Sequence, residues 1–140
     1  MNGTTGIIQS ASAPGSTVKR IVVVSSLATV VDTARPVPVV FTEADWNETD
    51  PAQVREKGVD APQASKYRTS KTLAERAAWN LFAEGKTKGD IGWDLVVLCP
   101  PWVFGPQLGA SSPTELSTSS GKWFELVVKE EGEIPTWSRG

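Results

Sequence analysis

Two short apolar runs, residues 19–25 (KRIVVVS) and 93–99 (WDLVVLC), constrain this chain most, because neither alternates polar with apolar residues. Unbroken β-branched runs of that length suit strands covered on both faces, the habit of parallel sheets. Between them lies one long helical stretch, so strand, crossover helix and strand read as a βαβ unit, right-handed in nearly all cases. The predicted class is α/β. In such units ligands sit at the carboxyl ends of the strands. That places Ser25, Ser26, Pro100, Pro101, Trp102 and Val103 at the candidate rim.

The helix, predicted over residues 64–83, holds the only tyrosine, Tyr67, four residues before Lys71. Residues so spaced share a helix face. An ammonium beside a phenol favours the phenolate, which makes the pair a candidate proton donor and acceptor. By itself the spacing is common. Its value comes from the serine pair before it and the Pro-Pro turn after it. Tyr67, Ala74, Ala77, Ala78, Leu81 and Phe82 form an apolar stripe, and Gly85 reads as the stop, with Lys86 and Lys88 suiting the negative helix end.

Residues 2–13 read as a short helix closed by Pro14 and Gly15. Residues 26–63 are loop-like, with Pro36, Pro38, Pro51 and Pro62; so long a connection is functional or contains short elements of its own. Within it FTEADWN, from Phe41, either lines the approach to a site or is a surface loop anchored by Trp46. Residues 109–121 read as a flexible loop and 122–129 as an amphipathic helix.

Composition removes several functions. With no histidine and one cysteine among 140 residues, zinc sites, serine–histidine–aspartate triads and disulfide frameworks are nearly excluded, and no metal is expected. Cys99 reads as a small buried hydrophobe. Net charge of -2 argues against nucleic acid or an anionic membrane as partner. The apolar runs are too short to span a bilayer, and the start lacks a secretion signal's basic and apolar regions, so a cytoplasmic location is expected.

Together VKRIVVVSSLATV, FTEADWN, SKYRTSKTLAE and VVLCPPWVFGPQL resemble, in order and rough spacing, the extended short-chain dehydrogenase/reductase superfamily. The branch most similar is the dihydroflavonol-reductase-like carbonyl reductases. The resemblance implies a Rossmann-like doubly wound parallel sheet and NADPH-dependent reduction of an aldehyde or ketone, with NAD left open. It implies catalytic roles for Tyr67, Lys71 and Ser26, with Ser25 the rival serine. It also implies that Ser25, Tyr67, Lys71, Pro100, Pro101, Trp102 and Val103 face the cofactor. Residues 111–122 and the FTEADWN loop would fall in the variable substrate region. A sugar-nucleotide epimerase or dehydratase shares the same Ser, Tyr and Lys.

One departure is large. The family's G-x-x-G-x-x-G phosphate turn does not occur in the sequence. Residues 1–140 therefore look like the central part of a reductase domain, a partial Rossmann-like fold lacking its N-terminal glycine-rich half. The consequences expected are impaired catalysis, marginal stability, and a homodimer or pairing with a full-length homologue through the Tyr/Lys helix. A fragment that acts only by association is the reading from another class.

Overall fold

The computed structural model describes residues 2–105 with Ser120, Gly121 and Trp123. The chain divides into two compact units, Met1–Pro100 and Pro101–Gly140.

In the first unit, helix α1 (Asn2–Ala11) leads to strand β1 (Arg20–Val24), helix α2 (Thr49–Lys57), the long helix α3 (Gln63–Lys88) and strand β2 (Asp94–Leu98). The strands are adjacent and parallel, with Arg20 opposite Asp94 and Val24 opposite Leu98. The Arg20 guanidinium clamps the Asp94 carboxylate at the open end of that register, 2.6 and 2.8 Å away. The βαβ unit is as predicted.

Ile8, Ala78, Trp93 and Leu95 are buried at the centre, with Ile21, Val23, Leu81, Phe82 and Val97 packed around them. Helices α1 and α3 thus cover one sheet face, where each large apolar side chain contributes about 1.5–3 kcal/mol of burial. The other face departs from the double cover predicted for both strands. Val22, Val24 and Leu98 remain 53%, 64% and 51% exposed. An alternating pattern is therefore realised by side chains that are apolar at every position, because α1 and α3 cover the same face.

Three predicted features change. The stretch 26–63 holds a 3₁₀ turn (Leu27–Thr29), α2, and a second 3₁₀ turn (Gly58–Asp60). Pro51, read as a breaker, lies in the first turn of α2, where its missing N–H costs nothing. Helix α3 runs past Gly85 and ends at Gly89, whose φ of 73° is left-handed. Gly85 instead makes room for the returning chain, since a Cβ there would lie 2.9 Å from Ile91 Cγ2. Finally, the predicted apolar stripe is only partly the buried one. Ser65, Thr69, Thr72, Glu75 and Ala78 are the buried positions of α3, while Tyr67 is exposed. The first half of α3 packs on α2 and the Leu27–Thr29 turn rather than on the sheet, with Ser65 Oγ donating to Gln53 Oε1 and Glu75 taking the Thr29 hydroxyl.

In the second unit, Trp102 stacks on Phe104 with ring centroids 6.3 Å apart, and Trp123 stands edge-on to both. Ser120 Oγ accepts the Gly105 N–H at 3.0 Å. The loop and helix predicted over 109–129 lie outside the described residues except at Ser120, Gly121 and Trp123.

Candidate functional site

The carboxyl end of β1 delivers two neighbouring hydroxyls in different states. Backbone bonds from Ser25 N to Leu98 O (2.8 Å) and from Leu27 N to Pro100 O (3.0 Å) continue the ladder beyond the strands and hold this turn in place. Ser25 Oγ donates to Glu75 Oε2 at 2.5 Å, so its proton is committed. Ser26 is extended, with φ of -161°, and its Oγ accepts the Ala28 N–H at 3.2 Å, capping the 3₁₀ turn. A hydroxyl has one proton and two acceptor lone pairs. Ser26 therefore keeps its proton for another acceptor, which separates it from Ser25. Both serines are buried.

Helix α3 supplies the other two predicted groups. Lys71 Nζ donates to the Val24 carbonyl at 3.2 Å, which anchors the ammonium at the strand end beside the serines. Two of its three N–H donors remain for a ligand. Tyr67 lies one turn earlier and is 54% exposed; among the described residues its phenol has no hydrogen-bond partner. The structure thus joins Lys71 to the serine turn directly and leaves Tyr67 linked to it only through the helix. Catalytic hydrogen bonds often tighten only when substrate is bound.

Sequence reading missed the group at the centre. Glu75 is 6% exposed, four residues beyond Lys71. Its Oε2 also takes Thr29 Oγ1 at 2.8 Å and stands 3.7 Å from Cys99 Sγ. One carboxylate oxygen so ties together the ends of both strands, the 3₁₀ turn and α3. Burial, then the Glu75 charge, pushes the Cys99 thiol up from its ordinary value. The one trace in the sequence is a polar residue at each of positions 65, 69, 72 and 75, a three-and-four spacing that a solvated helix face shows equally.

Two further residues brace the same turn. Asn47, fully buried, donates from its backbone N–H to Thr29 O at 2.8 Å and from Nδ2 to Ala28 O at 3.1 Å. The FTEADWN loop is therefore anchored chiefly by Asn47, while Trp46 lies under the Arg76 guanidinium at 4.8 Å. Asp32 accepts from the N–H groups of Glu48 and Thr49 at the start of α2.

Of the predicted cofactor-facing residues at the second strand, Pro100 is in the first unit, its carbonyl bonded to Leu27. Pro101, Trp102 and Val103 belong to the second unit, where Pro101 and Val103 are exposed and Trp102 joins the aromatic cluster. A cavity of about 650 Å³ opens elsewhere, at the amino ends of the strands, lined by Ile8, Ser12, Lys19, Lys88 and Trp93. None of the site residues lines it. Among the described residues no cluster of metal ligands occurs, and no helix is long and apolar enough to cross a membrane.

A parallel strand pair crossed by one long helix, with a serine turn and a lysine at its carboxyl end, defines a partial Rossmann-like α/β fold. Comparison with known proteins agrees. No protein-family model matches the chain. The ketoreductase azaE of Aspergillus niger is 36% identical over 132 residues, covering 88% of this chain and 36% of the relative. Dihydroflavonol 4-reductase of Arabidopsis thaliana is 34% identical over 119 residues, covering 85% of this chain and 28% of the relative. The crystal structure of yeast methylglyoxal/isovaleraldehyde reductase Gre2 complexed with NADPH superposes with a TM-score of 0.67 at 28% identity, over 96% of this chain and 39% of that one. The chain belongs to the short-chain dehydrogenase/reductase superfamily. It spans about a third of the length of the relatives it matches.

Proposed function

We propose that this chain carries the proton-handling half of an NADPH-dependent carbonyl reductase, acting on an aldehyde or ketone. The observation that carries the reading is the Lys71–Val24 hydrogen bond, which fixes the ammonium of the Tyr67 helix beside the serine turn at the ligand-binding end of the sheet. Two similar proteins, the methylglyoxal reductase GRE2 of Saccharomyces cerevisiae and GRP2 of Candida albicans, are described as NADPH-dependent, which favours the phosphorylated cofactor.

The residues fit the nicotinamide end of such a cofactor. Lys71 has two free donors for ribose hydroxyls, and Tyr67 stands exposed on the same face. When bound, the cofactor supplies the hydride. Ser26 donates its free proton to the carbonyl oxygen and holds it, polarising the carbon. Tyr67 delivers a proton to that oxygen as negative charge develops, and the Lys71 ammonium stabilises the phenolate left behind. The pyrophosphate is less well served, because the sequence has no glycine-rich turn to receive it.

The test is NADPH oxidation at millimolar cofactor with a panel of small aldehydes and ketones. Slow, carbonyl-dependent oxidation is expected, falling at least about 100-fold in Tyr67→Phe. Oxidation that ignores the carbonyl, or persists in Tyr67→Phe, would refute the reading.

A further inference from the structure

We propose that Glu75 is the positioning residue of this site: by taking the Ser25 and Thr29 hydroxyls on one carboxylate oxygen, it withdraws Ser25 from catalysis and sets the turn that presents Ser26. The inference rests on the reductase reading for its chemistry but on geometry for its substance.

Three observations carry it. Glu75 is almost fully buried, and a buried carboxylate is retained only where its charge is satisfied by donors. Its Oε2 has two, Ser25 Oγ at 2.5 Å and Thr29 Oγ1 at 2.8 Å. Thr29 Oγ1 is also 2.9 Å from the Ser26 carbonyl, so its single proton is shared between that carbonyl and the carboxylate, which links Glu75 to the backbone of the serine that remains available.

The arrangement also fixes register. Glu75 and Lys71 are one turn apart on α3, and both reach the end of β1, at Ser25 and at the Val24 carbonyl. Two adjacent anchors from one helix face prevent α3 from sliding or rolling against the strand end. That sets where Tyr67, a turn further out, meets a substrate held by Ser26. Remove the carboxylate, and Ser25 regains a free proton and competes with Ser26 as donor. A misplacement of about 1 Å in such a constellation costs on the order of 100-fold in rate.

The experiment compares Glu75→Ala, Glu75→Gln and the parent chain by two readouts. In turnover, Glu75→Ala should lose about 10–100-fold in kcat with little change in KM for the carbonyl. Glu75→Gln, which still offers an oxygen acceptor, should recover a substantial part of that loss. The second readout does not depend on turnover. Cys99, the only cysteine, stands beside Glu75 Oε2, Thr29 Oγ1 and the Ser26 backbone, and Glu75 is the charged group facing it among the described residues. The pH profile of its alkylation by iodoacetamide therefore reports the Glu75 charge. Its midpoint should fall in Glu75→Gln. Unchanged kcat in Glu75→Ala, or equal loss in both variants, overturns the positioning role. An unchanged alkylation midpoint overturns the hub itself, even if the parent shows no turnover and the reductase reading fails separately.

Discussion

Asp32 caps a helix to which it does not belong, and replacing it by asparagine tests how the site is braced. The N-cap residue of α2, Glu48, makes no side-chain cap bond. The donors are met by two side chains from outside the helix: Asn47 Oδ1 accepts from Asp50 N at 3.1 Å, while Asp32 Oδ2 accepts from Glu48 N at 3.2 Å, Thr49 N at 3.2 Å and Thr49 Oγ1 at 2.9 Å, and its Oδ1 from Ala34 N at 3.0 Å. Losing a helix cap costs about 1 kcal/mol, and an anion at a helix N-terminus is worth about 0.3–1 kcal/mol more. An amide offers one oxygen and turns its NH₂ toward the remaining donors, which adds about 1 kcal/mol. Asp32→Asn should therefore cost about 2–3 kcal/mol near neutrality by these terms together.

The pH dependence separates an electrostatic loss from a steric one. Burial pushes the Asp32 carboxyl up, but the Thr49 hydroxyl and the N–H groups of Ala34, Thr49 and Glu48 outweigh it and hold it below the usual carboxylate range. A folded pKa below the unfolded value of about 3.9 means a contribution that is complete well above pH 4 and lost as pH falls through the folded value. Urea unfolding of the parent and Asp32→Asn between pH 7 and pH 3 should show a gap that is full at neutrality and shrinks in acid. A gap constant across that range would mean a steric loss, and no gap at pH 7 would mean that α2 needs no remote cap.

Other outcomes follow from the same geometry. Gly85→Ala gains about 1 kcal/mol of helix propensity but drives a Cβ to 2.9–3.1 Å from three Ile91 carbons. Urea unfolding should show a net loss of about 1–2 kcal/mol, reversed to a gain when Ile91 is also cut to alanine. Gly89→Ala, at a φ of 73°, should lower stability by about 1 kcal/mol in the same assay. Substituting the exposed Val22 and Val24 by threonine should change stability by less than about 0.5 kcal/mol each, whereas Leu95→Ala should cost about 2–5 kcal/mol. The reverse ranking in thermal unfolding would mean that the sheet has its faces exchanged. Asn47→Ala, which removes the Nδ2 donor to the Ala28 carbonyl and to the Asp50 carboxylate, leaving the latter only Arg68 among the described residues, and the Oδ1 acceptor of the Asp50 N–H, should cost at least about 2 kcal/mol and slow turnover with it.

The βαβ frame was legible because strands and helix differ so plainly in period. Residues 19–25 and 93–99 each carry an unbroken apolar run, and the stretch around Tyr67 has no proline. That Lys71 lies on the long helix was legible too, whereas its bond to the Val24 carbonyl was not. What the chain concealed was the polar work done inside. Glu75 looks on paper like one more solvated helix charge, and only the fold brings Ser25 and Thr29, 50 and 46 residues away, onto its oxygen. Asp32 and Asn47 were hidden for the same reason: their partners are distant in sequence, and a proline-rich stretch gives no periodic pattern to reveal α2. Gly85 misled because glycine marks helix ends and close approaches alike, and the sequence does not say which. The exposed face of Val22, Val24 and Leu98 could not be predicted from a run that is apolar at every position, since such a run carries no information about which side is covered.

The presence of a single tyrosine makes the central claim directly measurable. With carbon-13 label in the tyrosine ring, the chain gives one phenol resonance set, and titration with NADPH reports whether the cofactor reaches the Tyr67–Lys71 face. The account predicts a saturable shift of that resonance, weakened strongly in Lys71→Ala while a folded spectrum is kept. A resonance indifferent to saturating NADPH, or one that shifts equally in Lys71→Ala, would contradict it.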